Sequence, residues 1–194
     1  MTYEVSQITY QDTKPFILDI HYAHRMPSIS YAYGLFLNGE LEGIVSYGSP
    51  ASPWLCKGIA GEQYKKEVIE LNRLVLKNNR KNEASVLVSK SLTLLPKPKI
   101  VVSYADTAQG HTGYIYQATN FYFTGTTKPR TDIASLNGKH SRHHGGDKSK
   151  RVARSAKHRY VFFVGSKTQK KKYLKNLRYK ISSYPKKEIN PSYY

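Results

Sequence analysis

The stretch Ser103–Gly125, SYADTAQGHTGYIYQATNFYFTG, combines residue types that can transfer a proton. Asp106 ends an apolar run that predicts a strand, and Tyr116 follows in a predicted short helix. A carboxylate and a phenol are typical of a general base and a proton donor, and ligands gather at the carboxyl ends of strands in open α/β sheets. The structural alternative makes Asp106 a turn former and Tyr116 a core residue. Gly110 and Gly113 allow an unusual backbone path between them.

Polar residues also interrupt VIELNRLVL, which predicts a strand. Buried polar groups are costly unless they are paired, so Glu70, Asn72 and Arg73 require an explanation. Strict alternation places Arg73 on the face of Leu71 and Val75, opposite Glu70 and Asn72. A ligand groove that crosses the strand accounts for these residues, and so does an edge strand with one wet face.

The loop KNNRKN leads from that strand into NEASVLVSKSLTLLP, which predicts a helix with Asn82 as its N-cap. Unpaired backbone N–H groups at a helix start favour an anion. Arg80 and Lys81 add positive charge there. The sequence therefore predicts a phosphate or pyrophosphate site, with basic loops of no special function as the alternative.

Another candidate site residue, His21, lies in TKPFILDIHYAHR, whose apolar spacing predicts a first helix capped by Asp12 or Thr13. His21 comes four residues after Ile17, so it borders the apolar stripe of that helix. A histidine there is a boundary core residue, a base, or a metal ligand near Asp106.

Positive charge is concentrated in the second half of the chain. Residues 126–194 hold 19 Lys and Arg against 3 Asp and Glu, a net charge of +16, whereas residues 1–125 carry only +2 of the total of +18. Such asymmetry indicates a polyanionic partner, most often nucleic acid, with a solubilising tail as the alternative. The side chains predicted to contact that partner are Arg130, Lys139, Arg142, His143, His144, Lys148, Lys150, Arg151, Arg154, Lys171, Lys172 and Lys175.

The single cysteine, Cys56, excludes an internal disulfide framework. No run of about 18 apolar residues indicates a membrane span, and the N-terminal residues lack the pattern of a secretory signal. The histidines of segment 126–157 fit no standard zinc-finger spacing, so we favour a basic arm that grips phosphate.

The elements follow the order β, α, β-β, β, α, β, α, β, a long insertion, β, α. This order predicts an α/β or α+β domain with a mixed central sheet flanked by helices. SPASPWLCKGIAG is predicted as a loop, the tail after residue 181 as loose, and SKTQKKKYLKNLRYKI as a basic helix. That helix is predicted to place Tyr173, Leu174, Leu177 and Ile181 on one side.

Several motifs together resemble the phage Mom-type DNA modification proteins, whose fold is related to the GCN5-related N-acetyltransferases (GNAT). They are HYAHRMPS, GLFLNGELEGIVSYGSP, IELNRLVL with the ASVLVSKSL helix, and SYADTAQGHTGYIYQATNFYFTG. The resemblance covers roughly residues 15–125. It implies a GNAT-like catalytic core over 1–125, a basic DNA-contacting insertion over 126–157, and a closing strand, basic helix and tail of the same domain over 158–194.

The resemblance also implies an activity, the conversion of adenine in double-stranded DNA to an N6-carbamoylmethyl form, which protects phage DNA from host restriction in the cytoplasm of the infected bacterium. The catalytic residues implied by motif match are His21, Tyr22, Arg73, Ser85, Asp106 and Tyr116. The implied cofactors are acetyl coenzyme A, or another donor, and iron. The residues expected at the donor are Leu74, Val75, Arg80, Lys81 and Ser85, and those expected at the metal are His21 and Asp106.

One departure bears on the donor. The pyrophosphate loop of the acetyltransferases contains glycines, whereas KNNRKNEA contains none, and a side chain keeps the backbone farther from a phosphate than glycine does. Two rival functions are an ordinary N-acetyltransferase acting on a protein or small amine, and a non-enzymatic basic DNA-binding protein.

Overall fold

The structure is a computed structural model that describes residues 2–133 and 151–186. The strands of these ranges are β1 (Tyr3–Gln7), β2 (Tyr31–Leu37), β3 (Glu40–Gly48), β4 (Val68–Leu76), β5 (Lys99–Asp106), β6 (Tyr122–Thr126), β7 (Arg130–Ile133), β8 (Arg151–Arg154) and β9 (Lys157–Val164). The α-helices are α1 (Tyr10–Pro15), α2 (Pro53–Ala60), α3 (Glu83–Leu94), α4 (Tyr114–Ala118) and α5 (Lys167–Asn176). A π-helical turn (Phe16–Ile20) continues α1, and 3₁₀ turns cover Glu62–Glu67 and Thr107–Gln109.

Seven strands form one mixed sheet in the order β1-β2-β3-β4-β5-β9-β6. Only the central pair β4 and β5 is parallel, and the other neighbours are antiparallel. Strands β7 and β8 pair separately, with Arg130 opposite Arg154. The predicted mixed α/β fold with flanking helices is confirmed.

Strand β4 carries a β-bulge at Asn72, because Leu71 pairs with Tyr47 and Arg73 with Ser46. The amide of Asn72 stabilises the bulge, accepting from Ser46 Oγ and donating to the Ser28 carbonyl, each at 2.7 Å. An extra residue reverses the alternation of side chains beyond it. The prediction that Leu71, Arg73 and Val75 share one face is therefore wrong.

Strands β4 and β5 are paired only along the first half of their length. Their pairing runs from Val68 with Ile100 to Leu71 with Ser103 and then ends, although β4 continues to Leu76 and β5 to Asp106. Backbone N–H and C=O groups on the facing edges beyond that point lack a strand partner. The sheet thus opens at its centre, at the carboxyl ends of its two parallel strands.

Apolar side chains cover both faces of this sheet. Leu35, Leu71 and Val101 belong to a buried cluster with Leu87 and Leu92 of α3. On the other face, Ile59 of α2 and Tyr173 of α5 pack with Val102 and Phe163, and Phe16 and Ile17 pack with Ile44 and Val75. The opening between β4 and β5 therefore lies in a sheet that is covered by apolar layers on both faces.

The structure differs from the predicted helices at α1, α2 and α5. Helix α1 is capped by a Thr9–Asp12 capping box and not by Asp12 or Thr13, and the helical turn ends at Ile20, so His21 and Tyr22 lie beyond it. The predicted loop 49–61 contains α2, because proline is tolerated in the first helical turn. Helix α5 ends at Asn176, which leaves only Tyr173 of its predicted apolar side well buried.

The chain after α5 is anchored up to residue 186, contrary to the prediction of a loose tail. The Ser182 N–H donates to the Phe123 carbonyl at 3.0 Å, and the Tyr184 hydroxyl donates to the Phe121 carbonyl at 2.8 Å. The Gln117 amide donates to the Pro185 carbonyl at 3.4 Å. These bonds hold the segment 182–186 against β6 and α4.

The turn before α4 depends on Gly113, whose φ is +80°. A Cβ there would lie 2.3 Å from the ring of Tyr160, whose hydroxyl donates to the Thr112 carbonyl. We expect Gly113→Ala to lower the free energy of unfolding well beyond the ~1 kcal/mol of left-handed strain alone, as measured by urea denaturation. Gly110→Ala is the matched control, because its φ is +65° and nothing lies within 4 Å of its Cβ position. Equal losses for the two variants would contradict the close packing at Gly113.

Candidate active site

A cavity of about 1280 Å³ occupies the opening between β4 and β5. Its walls come from β4 residues 70–76, the end of β5, the turn 110–113 with α4, and the residues that follow the π-helical turn. The anchored segment 183–186 adds a further wall. This volume exceeds the ~300–1,000 Å³ of most small-molecule sites.

Four of the predicted catalytic residues line this cavity together. They are His21, Tyr22, Arg73 and Tyr116, and the predicted donor contacts Leu74 and Val75 line it as well. They come from three separate parts of the chain. The splayed sheet, the end of the π-helical turn and α4 converge only in the folded molecule.

Two further predicted residues lie apart from that group. Ser85 lines a neighbouring cavity of about 180 Å³ at the start of α3, and its hydroxyl donates to the Asn82 carbonyl. Asp106 does not line the large cavity, although Tyr104, Ala105 and Lys157 beside it do. Its carboxylate accepts from Ala108 N–H at 3.0 Å and from the Ser155 hydroxyl, and pairs with Lys157 Nζ at 3.0 Å.

His21 is held as a neutral imidazole. Burial, together with the nearby charge of Arg73, lowers the pKa of His21 to about 4. Its Nδ1 accepts from the backbone N–H of Ala23 at 3.0 Å, so the proton of the neutral ring sits on Nε2. Its ring stacks on Tyr22 with centroids 4.4 Å apart. His21 therefore presents Nε2–H as a hydrogen-bond donor, which does not favour the base among the three interpretations that the sequence left open.

Arg73 ties the bulge to the loop before β2. Its two terminal nitrogens donate to the carbonyls of Asn72 and Arg25 at 2.7 and 2.8 Å. Its Nε is buried without a hydrogen-bond partner among the residues described. An unpaired buried donor is costly, and this N–H is covered by protein atoms, so it does not face the cavity.

Tyr116 is a protonated phenol at neutral pH. Burial raises the pKa of Tyr116 to about 12, and a hydrogen bond with Ser103 acts against that rise. Its ring packs against Phe121 and Tyr160 with centroids 5.4 and 5.2 Å away. Tyr116 therefore packs in the core and also lines the cavity.

Glu70 and Lys157 line the same cavity and were not among the predicted catalytic residues. Burial raises the pKa of Glu70, while a backbone hydrogen bond from Ala51 and the charges of Arg73 and Lys157 lower it. Its position as a carboxylate inside an apolar strand was the signal in the sequence. Lys157 gave no such signal, because it is one of many lysines in the basic half.

At the start of α3, the guanidinium of Arg80 forms ion pairs with two carboxylates. Its guanidinium contacts Glu42 at 2.9 Å and Glu83 at 3.1 Å, and the fully buried Glu83 also accepts from the Arg80 N–H and from Tyr3. Lys81 is exposed and lines neither cavity. Arg80 thus stabilises the glycine-free loop itself, and the positive charge expected for a phosphate is largely neutralised.

The residues present do not fit the expected iron. Within residues 2–133 and 151–186, no group of three or more His, Cys, Asp or Glu side chains is arranged to hold a metal ion. His21 Nδ1 accepts from Ala23, and the carboxylate of Asp106 is occupied by Ser155, Lys157 and Ala108. The metal-ligand prediction for this pair is not supported.

The predicted DNA contacts fall into three groups. Arg130, Arg151 and Arg154 lie on the β7–β8 pair, and α5 carries Lys171, Lys172 and Lys175 on its exposed side. The remaining predicted contacts lie outside the described residues, and they are Lys139, Arg142, His143, His144, Lys148 and Lys150. In the part of the chain that is described, no helix is long and apolar enough to cross a membrane.

The fold is that of the GNAT N-acetyltransferases. An N-acetyltransferase from Staphylococcus aureus Mu50 superposes with a TM-score of 0.51 at 14% identity, covering 84% of this chain and 99% of that one. The ribosomal-protein-S18-alanine N-acetyltransferase from Escherichia coli superposes with a TM-score of 0.51 at 9% identity, covering 85% and 96%. At these identities the similarity establishes the fold alone.

Sequence comparison goes further than the fold. A model of the Mom protein family matches residues 2–186, and the chain belongs to that family. The Methylcarbamoylase mom of Escherichia phage Mu is 31% identical over 112 residues, which make up 55% of this chain and 46% of that protein. The match thus spans about half the length of that relative.

The contacts of Arg80 predict a structural role for it. We expect Arg80→Ala to lower the free energy of unfolding, because buried Glu83 loses its charge partner. Lys81→Ala, the adjacent exposed cation, is expected to change it by less than about 0.5 kcal/mol. Urea denaturation of both variants checks this, and equal stabilities would show that the Arg80 ion pairs contribute nothing.

The lowered pKa of His21 predicts a pH dependence of stability. Because the folded chain holds His21 neutral down to a pKa of about 4, the unfolded chain binds the extra proton between pH ~6.5 and ~4. The stability linked to His21 is therefore present above pH ~6.5 and lost as the pH falls towards 4. Chemical denaturation across this range should show a steeper loss for the wild type than for His21→Gln. Parallel curves would mean that His21 is accessible to protons in the folded state.

Proposed function

We propose that this protein is a DNA-modifying transferase that converts the exocyclic N6 amine of adenine in double-stranded DNA to its carbamoylmethyl form. The modification would protect phage DNA from restriction in the cytoplasm of the infected host. The observation that carries the proposal is that four of the six catalytic residues implied by the Mom resemblance line one cavity in the opening of a GNAT fold.

The target adenine must leave the duplex to be modified. Its N6 amine lies in the major groove while the base is stacked, and enzymes that act on a base extrude it into a pocket. The cavity of about 1280 Å³ is large enough for a base together with the reactive end of a donor. Tyr22, which is 54% exposed beside His21 at the cavity, offers a ring face on which the base can stack.

Glu70 is the group best suited to take the amine proton. When N6 bonds to the donor carbon, the donor's leaving group departs with the electrons of the broken bond, and one N6 proton needs an acceptor. Burial raises the pKa of Glu70, which makes its carboxylate a stronger base. Glu70 also lines the cavity with Arg73 and Tyr116.

The other polar groups of the cavity act as donors in this scheme. Neutral His21 offers its Nε2 proton and Tyr116 its hydroxyl. Two such donors suit the ring nitrogens of a flipped adenine and the carbonyl oxygen of a donor. Their protonation at neutral pH leaves Glu70 as the base among them.

A coenzyme A type molecule is the proposed occupant of the donor end of the cavity. The carbon that N6 attacks must then be a methylene that carries both CO–NH2 and the leaving group, because attack on the acyl carbon of a thioester would give an N6-amide. An extended chain with amide groups can hydrogen-bond to an open strand edge, and β4 beyond Leu71 provides one beside Leu74 and Val75. Unpaired N–H groups in the first turn of α3, near Ser85, favour a phosphate. Since Arg80 is neutralised by Glu42 and Glu83, Lys81 is the remaining predicted cation at that loop.

Double-stranded DNA is proposed as the partner on electrostatic grounds. The described part of the basic half exposes arginines on β7 and β8 and lysines on α5, and such cations release counterions when they neutralise phosphates. Binding is therefore expected to weaken steeply with salt.

The proposed proton acceptor is tested with Glu70→Gln. DNA from bacteria that express the wild type should yield a carbamoylmethyl deoxyadenosine on digestion and mass spectrometry, and Glu70→Gln should lower its yield at least about 100-fold. The variant should keep its stability, because burial already penalises the charged form of Glu70. Glu40→Gln, at the exposed start of β3, is the matched control and should modify DNA normally.

Two outcomes bear on different parts of the proposal. Wild-type yield from Glu70→Gln would remove Glu70 from the mechanism while leaving the activity intact. Unmodified DNA from cells that contain soluble, folded wild-type protein would contradict the proposed activity itself.

A further inference from the structure

Asp106 lies next to the cavity but directs its carboxylate to another part of the chain. The side chain is only 14% exposed, and it holds Ser155, Lys157 and the N–H of Ala108. A carboxylate with these three partners has little capacity left for a substrate. Its environment is that of a residue that fixes two segments to each other.

The segment that Asp106 holds is the end of the basic insertion. Ser155 directly follows β8, and Lys157 begins β9 opposite Asp106 in the sheet. The next residue, Thr107, adds two bonds to the Ala156 carbonyl, from its N–H at 3.2 Å and its hydroxyl at 2.7 Å. Residues 155–157, which lead from β8 into β9, are therefore all bound to the last residue of β5 or to Thr107 directly after it.

The other end of the insertion is attached at the same place. Thr127, just before β7, donates its N–H to the Lys157 carbonyl at 2.9 Å, and its hydroxyl accepts from the Lys157 N–H at 3.0 Å. The β7–β8 pair thus leaves the main sheet at Thr127 and returns at Ser155. Both of its connections meet Lys157, which also lines the cavity.

The β7–β8 pair itself is cationic. It carries Arg130, Arg151 and Arg154 against the single acid Asp132, whose contacts with Arg130 and Arg154 are long, at 3.8 Å each. Arg130 retains 69% exposure of its side chain. Three arginines on one short ribbon suit the phosphates of a nucleic-acid backbone.

We propose that Asp106, Ser155 and Lys157 form a clasp that holds the β7–β8 ribbon at the mouth of the cavity, so that the DNA backbone gripped by the ribbon lies in register with the target base. Asp106 is then a positioning residue and not a catalytic one. Lys157 connects the two functions, since its ammonium group contacts Asp106 and lines the cavity. The identity of the ligand as duplex DNA rests on the proposed function.

The clasp is tested first without DNA, by hydrogen exchange. We expect Asp106→Asn and Ser155→Ala to speed the exchange of amides 151–157 severalfold, while amides 160–163 in the centre of β9 keep the wild-type rate. Faster exchange throughout β9 would mean a general loss of stability, and unchanged exchange would mean that the contacts hold nothing. Either result overturns the clasp, whether or not the protein modifies DNA.

The second test measures affinity for a duplex of about 20 base pairs as a function of salt. If Arg130, Arg151 and Arg154 no longer contact phosphates, the slope of log K against log salt should fall in magnitude by about 2 to 3, because each phosphate contact contributes about 0.9. Asp106→Asn and Ser155→Ala should both show this loss. Lys157→Met should lower the slope by about 1 or more, through its own charge and through the clasp.

Two comparisons separate the clasp from other roles of Asp106. Asp19→Asn makes the same charge change at an exposed site and should leave the slope unchanged. When Arg130, Arg151 and Arg154 are all replaced by Gln, adding Asp106→Asn should cause no further loss of affinity. If Asp106→Asn abolishes adenine modification with wild-type exchange and a wild-type slope, Asp106 belongs to the chemistry and the clasp is wrong.

Discussion

The separation of strands β4 and β5 at the centre of the sheet is the constraint on which the rest of the structure depends. Two parallel strands pair up to Leu71 and Ser103 and then separate, and the bulge at Asn72 marks the same point on the other edge of β4. Asn72 is bonded to Ser46 and Ser28, so the bulge is specified by its own side chain. Without the separation there would be no cavity, and Glu70 and Arg73 would be buried in a continuous sheet without compensation.

The carboxylates of Glu83, Asp106 and Glu70 differ in how fully their negative charge is paired. This difference explains the different roles assigned to them. Glu83 is fully buried but paired with Arg80, and Asp106 is paired with Lys157; both hold pieces of backbone in place. No ion pair of Glu70 is present within the described residues, and burial raises its pKa. Paired carboxylates are suited to structure, whereas a partly desolvated and unpaired one is suited to accept a proton.

The neutral and cationic halves of the chain are interleaved in space. Strand β9 comes from the basic half, yet it lies between β5 and β6 in the sheet and places Tyr160 against Gly113 and Tyr116. The segment 182–186 returns to the same region and forms part of the cavity wall. A chain ending near residue 125 would therefore lack one wall of the site and the strand that supports another.

The sequence by itself determined the mixed fold, the seven strands of the main sheet and the charge asymmetry, because alternation, turn residues and net charge are local properties. Strands β7 and β8 fall in the segment that was predicted only as an insertion. It also indicated Glu70 and Arg73 as polar intrusions. Only the tertiary structure decided which residues share the cavity, since a one-residue bulge reverses a strand's faces and Arg80 and Asp106 meet partners 38 and 49 positions away in sequence. Such long-range contacts leave no periodic signal, so the roles of Arg80, Asp106 and Lys157 could be read only from the folded chain.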